Sequence, residues 1–256
     1  MNAVHKEFAI ISGLPRTGST LLVALLSQNP RIYGEGASAL CQIMWDVQQT
    51  CDNADAVAAN GRFDTKHDIL SALPNLYYKN VEQPIVIEKG RTWTHPLNCN
   101  MWTNHVNPDQ KIVVLVRPLE DVFKSMAALR LNNGWKNTDN LYFDLLQPGS
   151  EPIYRAAEAI SLAKVAFPER LLFVDYRDLV KDPIKALDSI YAFYGWEKFN
   201  HRLKDITHNN PEDDEVHGLK GMHEIRDTIS IRQIDVELPS FVKEACVKLN
   251  ALVYGS

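Results

Sequence analysis

Residues 13–22 read "GLPRTGSTLL". They follow the apolar run "FAIISG" and lead into "STLLVALL", so a strand, a turn rich in Gly and Pro, and a helix are expected in that order. A phosphate-binding loop needs that context, because free N–H groups and the positive end of the helix dipole then face whatever sits in the turn. The spacing fits the GxxxxGK[ST] pattern except at Ser19, which stands where the lysine belongs. In nucleotide triphosphatases that lysine bridges the β- and γ-phosphates and the next hydroxyl holds Mg²⁺. A loop without it lacks the main clamp for a triphosphate, while Arg16, inside the turn, is suited to grip a smaller anion with two hydrogen bonds. The plainer alternative is a helix capped by Thr17, Ser19 or Thr20, with Gly18 serving only the turn.

Outward from the loop, strand-length apolar runs alternate with longer stretches of helical period. The runs "FAIISGL", "PIVIEKG", "KIVVLVR" and "LLFVDY" are too continuously apolar for a sheet with one wet face, so all four read as central strands. Between them "GSTLLVALLSQN", "ALCQIMWDVQQTC", "TKHDILSALPNLYYKN", "LEDVFKSMAALRL", "PIYRAAEAISLAKVAF" and "DPIKALDSIYAFYGW" read as helices. The third should break or end near Pro74, and the last should start with Asp182 as cap and Pro183 in the first turn. "LPSFVKEACVKLNALV" closes the chain as an amphipathic helix. Such alternation predicts an α/β fold, a parallel β-sheet flanked by helices, with residues 1–256 as a single domain.

The composition is that of an ordinary globular protein: 256 residues, 45% hydrophobic and 23% charged. A net charge of −5 argues against nucleic-acid binding, so an anionic ligand must be met by a local basic cluster. Cys41, Cys51, Cys99 and Cys246 are scattered, with no CxxC pair, and read as free thiols of a reducing compartment. The N-terminus "MNAVHKEFAIISG" passes straight into a strand pattern without the parts of a secretory signal, and no apolar run approaches about 18 residues. A cytoplasmic protein that does not enter the membrane is expected.

Arg117 ends the run "KIVVLVR", and Ser125 follows eight residues later, about two turns into the next helix. Ligands of open α/β sheets gather at the carboxyl ends of the strands, which puts Arg117 and Arg16 on one rim. Alone, Arg117 reads better as a surface partner of Glu120 or Asp121; the loop at residues 13–20 shifts the balance. Residues 201–226, "HRLKDITHNNPEDDEVHGLKGMHEIR", are polar, His-rich and without either period; such a segment is a functional lid or a disordered loop.

Together, "LPRTGSTLL" and "VVLVRPLEDVFKSM" resemble the two cofactor-binding signatures of sulfotransferases that use 3′-phosphoadenosine 5′-phosphosulfate (PAPS). The resemblance implies the P-loop-like sulfotransferase fold, with Pro15, Arg16, Thr17, Gly18, Ser19 and Thr20 on the 5′-phosphosulfate and Arg117 and Ser125 on the 3′-phosphate. It extends through "LLFVDYRDLVKDPIKALDSIYAFYGW", which puts Tyr176 near the adenine, and through "GLKGMHE", which puts Lys220 on the 3′-phosphate, although Leu219 replaces the family's usual Arg. It also accounts for the missing lysine: the donor carries no triphosphate–Mg²⁺ unit.

Sulfuryl transfer is an in-line displacement that needs cations at the departing oxygen and a base for the acceptor proton. By the resemblance, Arg16 and Lys89, at the end of "PIVIEK", supply the cations, and the product is 3′,5′-adenosine bisphosphate (PAP). For the base, Glu35 in "PRIYGEGAS" is similar to the Glu of the tyrosylprotein branch, with His95 the runner-up in "GRTWTHP", where Arg91 takes the place of the cytosolic members' His. No catalytic metal is expected, since the histidines lack ligand spacing. The acceptor is a hydroxyl or amine on a small molecule, carbohydrate or peptide tyrosine. "SALCQIMWDVQQTC", "LPNLYYKN" and the loop from Trp93 to Trp102 are candidate pocket walls, or simply core. Two alternatives stay open: a P-loop nucleotide or small-molecule kinase, in which Asp175 at the end of "LLFVD" resembles a Walker B carboxylate, and a non-catalytic adenine-nucleotide-binding module.

Overall fold

In a computed structural model describing residues 6–149, 152–226, 228–231 and 233–255, five parallel strands form one sheet. The first residues of the N-terminal stretch, 1–5, lie outside the described ones. The strands are β1 (Glu7–Gly13), β2 (Ile32–Gly34), β3 (Ile85–Lys89), β4 (Ile112–Val116) and β5 (Leu171–Asp175), in the spatial order β2-β3-β1-β4-β5. Eleven helices accompany them among the described residues: α1 (Ser19–Leu26), α2 (Leu40–Asn53), α3 (Asp55–Ala59), α4 (Thr65–Tyr77), α5 (Pro96–His105), α6 (Leu119–Asn132), α7 (Asn140–Leu146), α8 (Tyr154–Ala166), α9 (Tyr176–Lys181), α10 (Pro183–Tyr194) and α11 (Ser240–Tyr254).

The sheet is buried on both faces, which is why its central strands read as unbroken apolar runs. Side chains alternate: Ile112, Val114 and Val116 of β4 join Phe8 and Ile10 in a core with α6, α8 and α11, while Val113 and Leu115 join Ile11 in a core with α1 and α10. Asp182 caps α10 by accepting from the Lys185 amide at 3.1 Å, as its Asp-Pro start predicts.

Several elements differ from the sequence reading. β5 is an edge strand, paired only with β4, and Phe173 is 38% exposed, with the Lys164 ammonium over its ring. Its apolar run reflects packing on both faces, Leu171 against the core with α6, α8 and α11, and Leu172 and Val174 in the core with α1 and α10. β2, at the other edge, is three residues long, too short for a period to register. α4 runs through Pro74 to Tyr77; Pro74 and Leu70 are both buried, and that packing offsets the one missing N–H. The stretch from Trp93 to Trp102, expected as loop, runs from residue 96 onward into α5, with Pro96 in the first turn. Trp93 and Trp102 are fully buried against each other, ring centroids 5.0 Å apart, so they belong to the core and not to a pocket wall.

Candidate active site

The carboxyl ends of β1, β3, β4 and β5, with residues 212–226 and 228–230 folded over them, enclose a cleft of about 680 Å³. Gly13 ends β1 at φ +133, and a Cβ there would overlap the Leu115 backbone, so only glycine lets the loop leave the sheet at this point. Pro15, Arg16, Gly18, Ser19 and Thr20 line the cleft. Thr17 does not: it is fully buried, and its hydroxyl donates to the Leu14 carbonyl at 2.7 Å, bracing the turn. α1 starts without a side-chain cap, which leaves its first amides for an anion.

Arg16 holds the left-handed conformation at φ +60, which costs a non-glycine residue about 1–2 kcal/mol. Its Nε donates to Ser125 Oγ at 3.1 Å, and its Nη1 donates to the Met222 carbonyl. Arg117 is 6% exposed; its Nη1 donates to the Arg16 carbonyl at 3.0 Å, and its guanidinium lies 4.4 Å from the centre of the Tyr176 ring. That ring also packs on the loop, since a Cβ on Gly18 would stand 3.0 Å from it. The structure therefore brings Arg16, Arg117, Ser125 and Tyr176 together. The expected partner Asp121 is 3.9 Å from Arg117 Nε, beyond hydrogen-bond reach, and that buried Nε has no hydrogen-bond partner.

Lys89 reaches the cleft from the end of β3. Its ammonium donates to the Gly36 carbonyl and lies 3.7 Å from Glu212 Oε1. Burial draws its pKa down to about 8 against the pull of Glu212. Burial likewise lowers Arg16 and Arg117, and Arg117 lowers Arg16 further. Desolvated cations without enough negative charge around them are stabilised by an anionic ligand.

The remaining expected residues are more dispersed. Lys220 lines the cleft, its backbone held by Asn133 through an amide bond of 2.8 Å and a carbonyl bond of 3.0 Å. Glu35 does not line the cleft. Its two oxygens lie 3.1 Å from the hydroxyls of Tyr33 and Tyr78, and burial raises its pKa. His95 caps α5, its Nδ1 accepting from the Leu97 amide at 3.3 Å, and it too is outside the lining. Asp175 accepts from the Arg177 amide at 2.8 Å as the cap of α9, and is not a cleft residue. Of the candidate pocket walls, Ser38, Cys41 and Gln42 line the cleft, while "LPNLYYKN" and residues 93–102 contribute none; Thr92, just before the last of these, does line it.

Residues 212–223 form a strap tied at three points. Asn210 donates to the Gly34 carbonyl at 3.0 Å just before it, Asn133 holds Lys220, and Arg16 holds Met222. The strap carries Glu212, His217 and His223 into the cleft, with Asp214 behind His223. Sequence reasoning tested the histidines of this segment only as metal ligands. The density of acidic and His residues in a stretch without period was the available signal. Among the described residues no three His, Cys, Asp or Glu side chains converge as a metal-ion site, and no helix is long and apolar enough to cross a membrane.

The model of the Sulfotransferase family matches residues 9–201. Among solved structures, the chain is similar to the sulfotransferase domain from the curacin biosynthetic pathway (19% identity, 96% of this chain and 97% of that one, TM-score 0.58). It is also similar to the sulfotransferase domain of the Synechococcus PCC 7002 olefin synthase (22% identity, 96% and 94%, TM-score 0.58). A sulfotransferase from Alicyclobacillus acidocaldarius shares the fold at 15% identity over 98% and 96% of the two chains, with a TM-score of 0.56. No curated protein matches.

Proposed function

The chain belongs to the sulfotransferase family, and on that premise we propose that its cleft binds PAPS and passes the sulfuryl group to a hydroxyl acceptor. One observation carries the choice of donor: Arg16, Ser125, Arg117 and Tyr176 form a single bonded cluster beside an uncapped helix start that lacks the triphosphate lysine. The orphaned Nε of buried Arg117 and the cations lowered by burial fit a ligand with two separate anionic ends.

The donor supplies an activated sulfuryl group and leaves as PAP. In this reading the amides of residues 18–20 and Arg16 hold the 5′ end, and Arg117, Ser125 and Lys220 hold the 3′-phosphate. Tyr176, stacked on Arg117, flanks the adenine. Lys89 and Arg16 neutralise the charge that builds on the departing oxygen, in a site where burial strengthens each contact. The acceptor then enters from the β3 side, between Lys89 and the largely polar wall of Ser38, Gln42 and Thr92.

Calorimetry with PAP and with ATP, each in EDTA and in Mg²⁺, tests the donor. The proposal expects metal-independent PAP binding that is at least about 100-fold tighter than that of ATP, the scale of one well-made charged contact pair. Binding of ATP alone, and only with Mg²⁺, would point to a kinase and sink it.

A further inference from the structure

The strap places a histidine in the cleft with its ring held by a carboxylate. Asp214 Oδ1 lies 2.6 Å from His223 Nδ1, and Asp214 Oδ2 accepts from the His223 backbone amide at 3.0 Å, so two bonds fix the ring relative to one side chain. A second carboxylate oxygen, Glu212 Oε2, stands 3.2 Å from the same Nδ1. Two carboxylates facing one ring nitrogen keep the proton on it, which makes Nε2 the lone-pair nitrogen of the neutral ring. His223 lines the cleft with its side chain 14% exposed, and Glu212 joins it to Lys89.

We propose that His223, oriented by Asp214, is the base that takes the acceptor's hydroxyl proton; this rests on the sulfotransferase reading of the cleft. In the step, the acceptor oxygen bonds to sulfur while the bond from sulfur to the bridging 5′-phosphate oxygen breaks. The electron pair of the broken bond stays with that phosphate, and the acceptor proton goes to His223 Nε2. The products are a sulfate ester, PAP and an imidazolium that Asp214 stabilises at Nδ1. Glu35 is less suited to this step, because both its oxygens face tyrosine hydroxyls and it does not line the cleft.

The charges around His223 agree with a base that is neutral at the start. Lys89 faces it from β3; Glu212, Asp214 and His217 face it from the strap; and His208 stands at the strap's approach. Burial lowers its pKa despite the two carboxylates, with Lys89 adding to the drop. The kcat/KM for donor should therefore rise with pH as His223 loses its proton, and fall again as Lys89 of the free protein loses its own near about 8.

The test uses the full chain, with PAP as binding probe and labelled PAPS, with water as acceptor, as activity probe. In the PAP complex, ¹⁵N NMR should show His223 with its proton on Nδ1, and Asp214→Ala should weaken that preference, leaving only Glu212 at that nitrogen. His223→Ala should bind PAP within about twofold of wild type, release sulfate roughly 10²-fold more slowly, lose the acid limb of the pH profile, and recover with added imidazole. A proton on Nε2 in the complex would overturn the proposal whether or not sulfate release is measurable. So would a His223→Ala protein that keeps both its rate, within about threefold, and its acid limb. A wild-type chain that fails to bind PAP removes the donor reading itself, an outcome distinct from normal PAP binding with an unneeded His223.

Discussion

Lys89 sits on the end of a buried strand with one carbonyl and one carboxylate for company, and its pKa of about 8 follows from desolvation. A bound 5′-phosphate would favour the charged form and raise that value, so binding takes up a proton wherever free Lys89 has lost it. PAP affinity should hold below pH 8 and fall above it, by up to tenfold per pH unit, until the pKa of the complex is passed. Lys89→Ala should bind PAP weakly with no such slope, as calorimetry across pH 7–10 would show. A slope that survives in Lys89→Ala would place the titrating group elsewhere. Arg16 and Arg117 were legible as a pair because a local rule, ligands at strand ends, put both on one rim. Glu212, Asp214 and His223 were not, because their placement comes from contacts with residues far away in the chain.

At the scale of elements, the β1–loop–α1 unit was readable because its signals are local: an apolar run, a turn with Gly and Pro, then a helix. Its geometry also predicts where it breaks. Gly13→Ala would drive a Cβ into the Leu115 backbone where β1 and β4 meet, at a φ that alanine resists. Denaturant unfolding should show a loss of at least about 2–3 kcal/mol, more than a typical surface substitution. Gly61→Ala, in open space at positive φ, should lose only about 1 kcal/mol. β2 and α5 escaped the sequence reading for opposite reasons. β2 is too short to show a period, and α5 buries Cys99, Met101 and Trp102 amid polar neighbours that hide its apolar face. The strap read correctly as irregular, and what holds it is the set of side-chain bonds from Asn210, Asn133 and Arg16. Asn133→Ala removes both bonds to Lys220 and should speed proteolytic cutting within residues 212–223 severalfold, with PAP restoring protection. Unchanged cutting would mean that the other two ties suffice.

At the scale of the whole molecule, the sheet carries one fully buried carboxylate, Glu88 on β3. Its Oε2 accepts from the Tyr78 hydroxyl at 2.6 Å and its Oε1 from the Trp93 indole at 3.1 Å. Tyr78 has one proton and also faces Glu35, so the network is satisfied best when one carboxyl stays protonated. Burial pushes Glu88 up to about 7, above its unfolded value. A raised folded pKa means that this stabilisation is complete below about pH 4.5 and is lost as pH rises through 7, on the order of 3 kcal/mol in all. Thermal melts should show that decline, and Glu88→Gln, whose amide suits the same partners, should flatten it. A melt of Glu88→Gln with the wild-type slope would assign the decline to other groups. The doubly buried centre of the sheet was plain in the sequence; the edge position of β5 was not, because an edge strand packed on both faces reads like a central one.

The proposed donor site, which joins a loop after β1 to an arginine after β4, is tested most directly by comparing PAP with 5′-AMP, which lacks the 3′-phosphate, in wild type and in Arg117→Ala. The account predicts that calorimetry will find PAP preferred by at least about 100-fold in wild type, with most of that preference gone in Arg117→Ala, since the buried cation proposed to hold the 3′-phosphate is lost. Equal binding of PAP and 5′-AMP by the wild-type chain would contradict it.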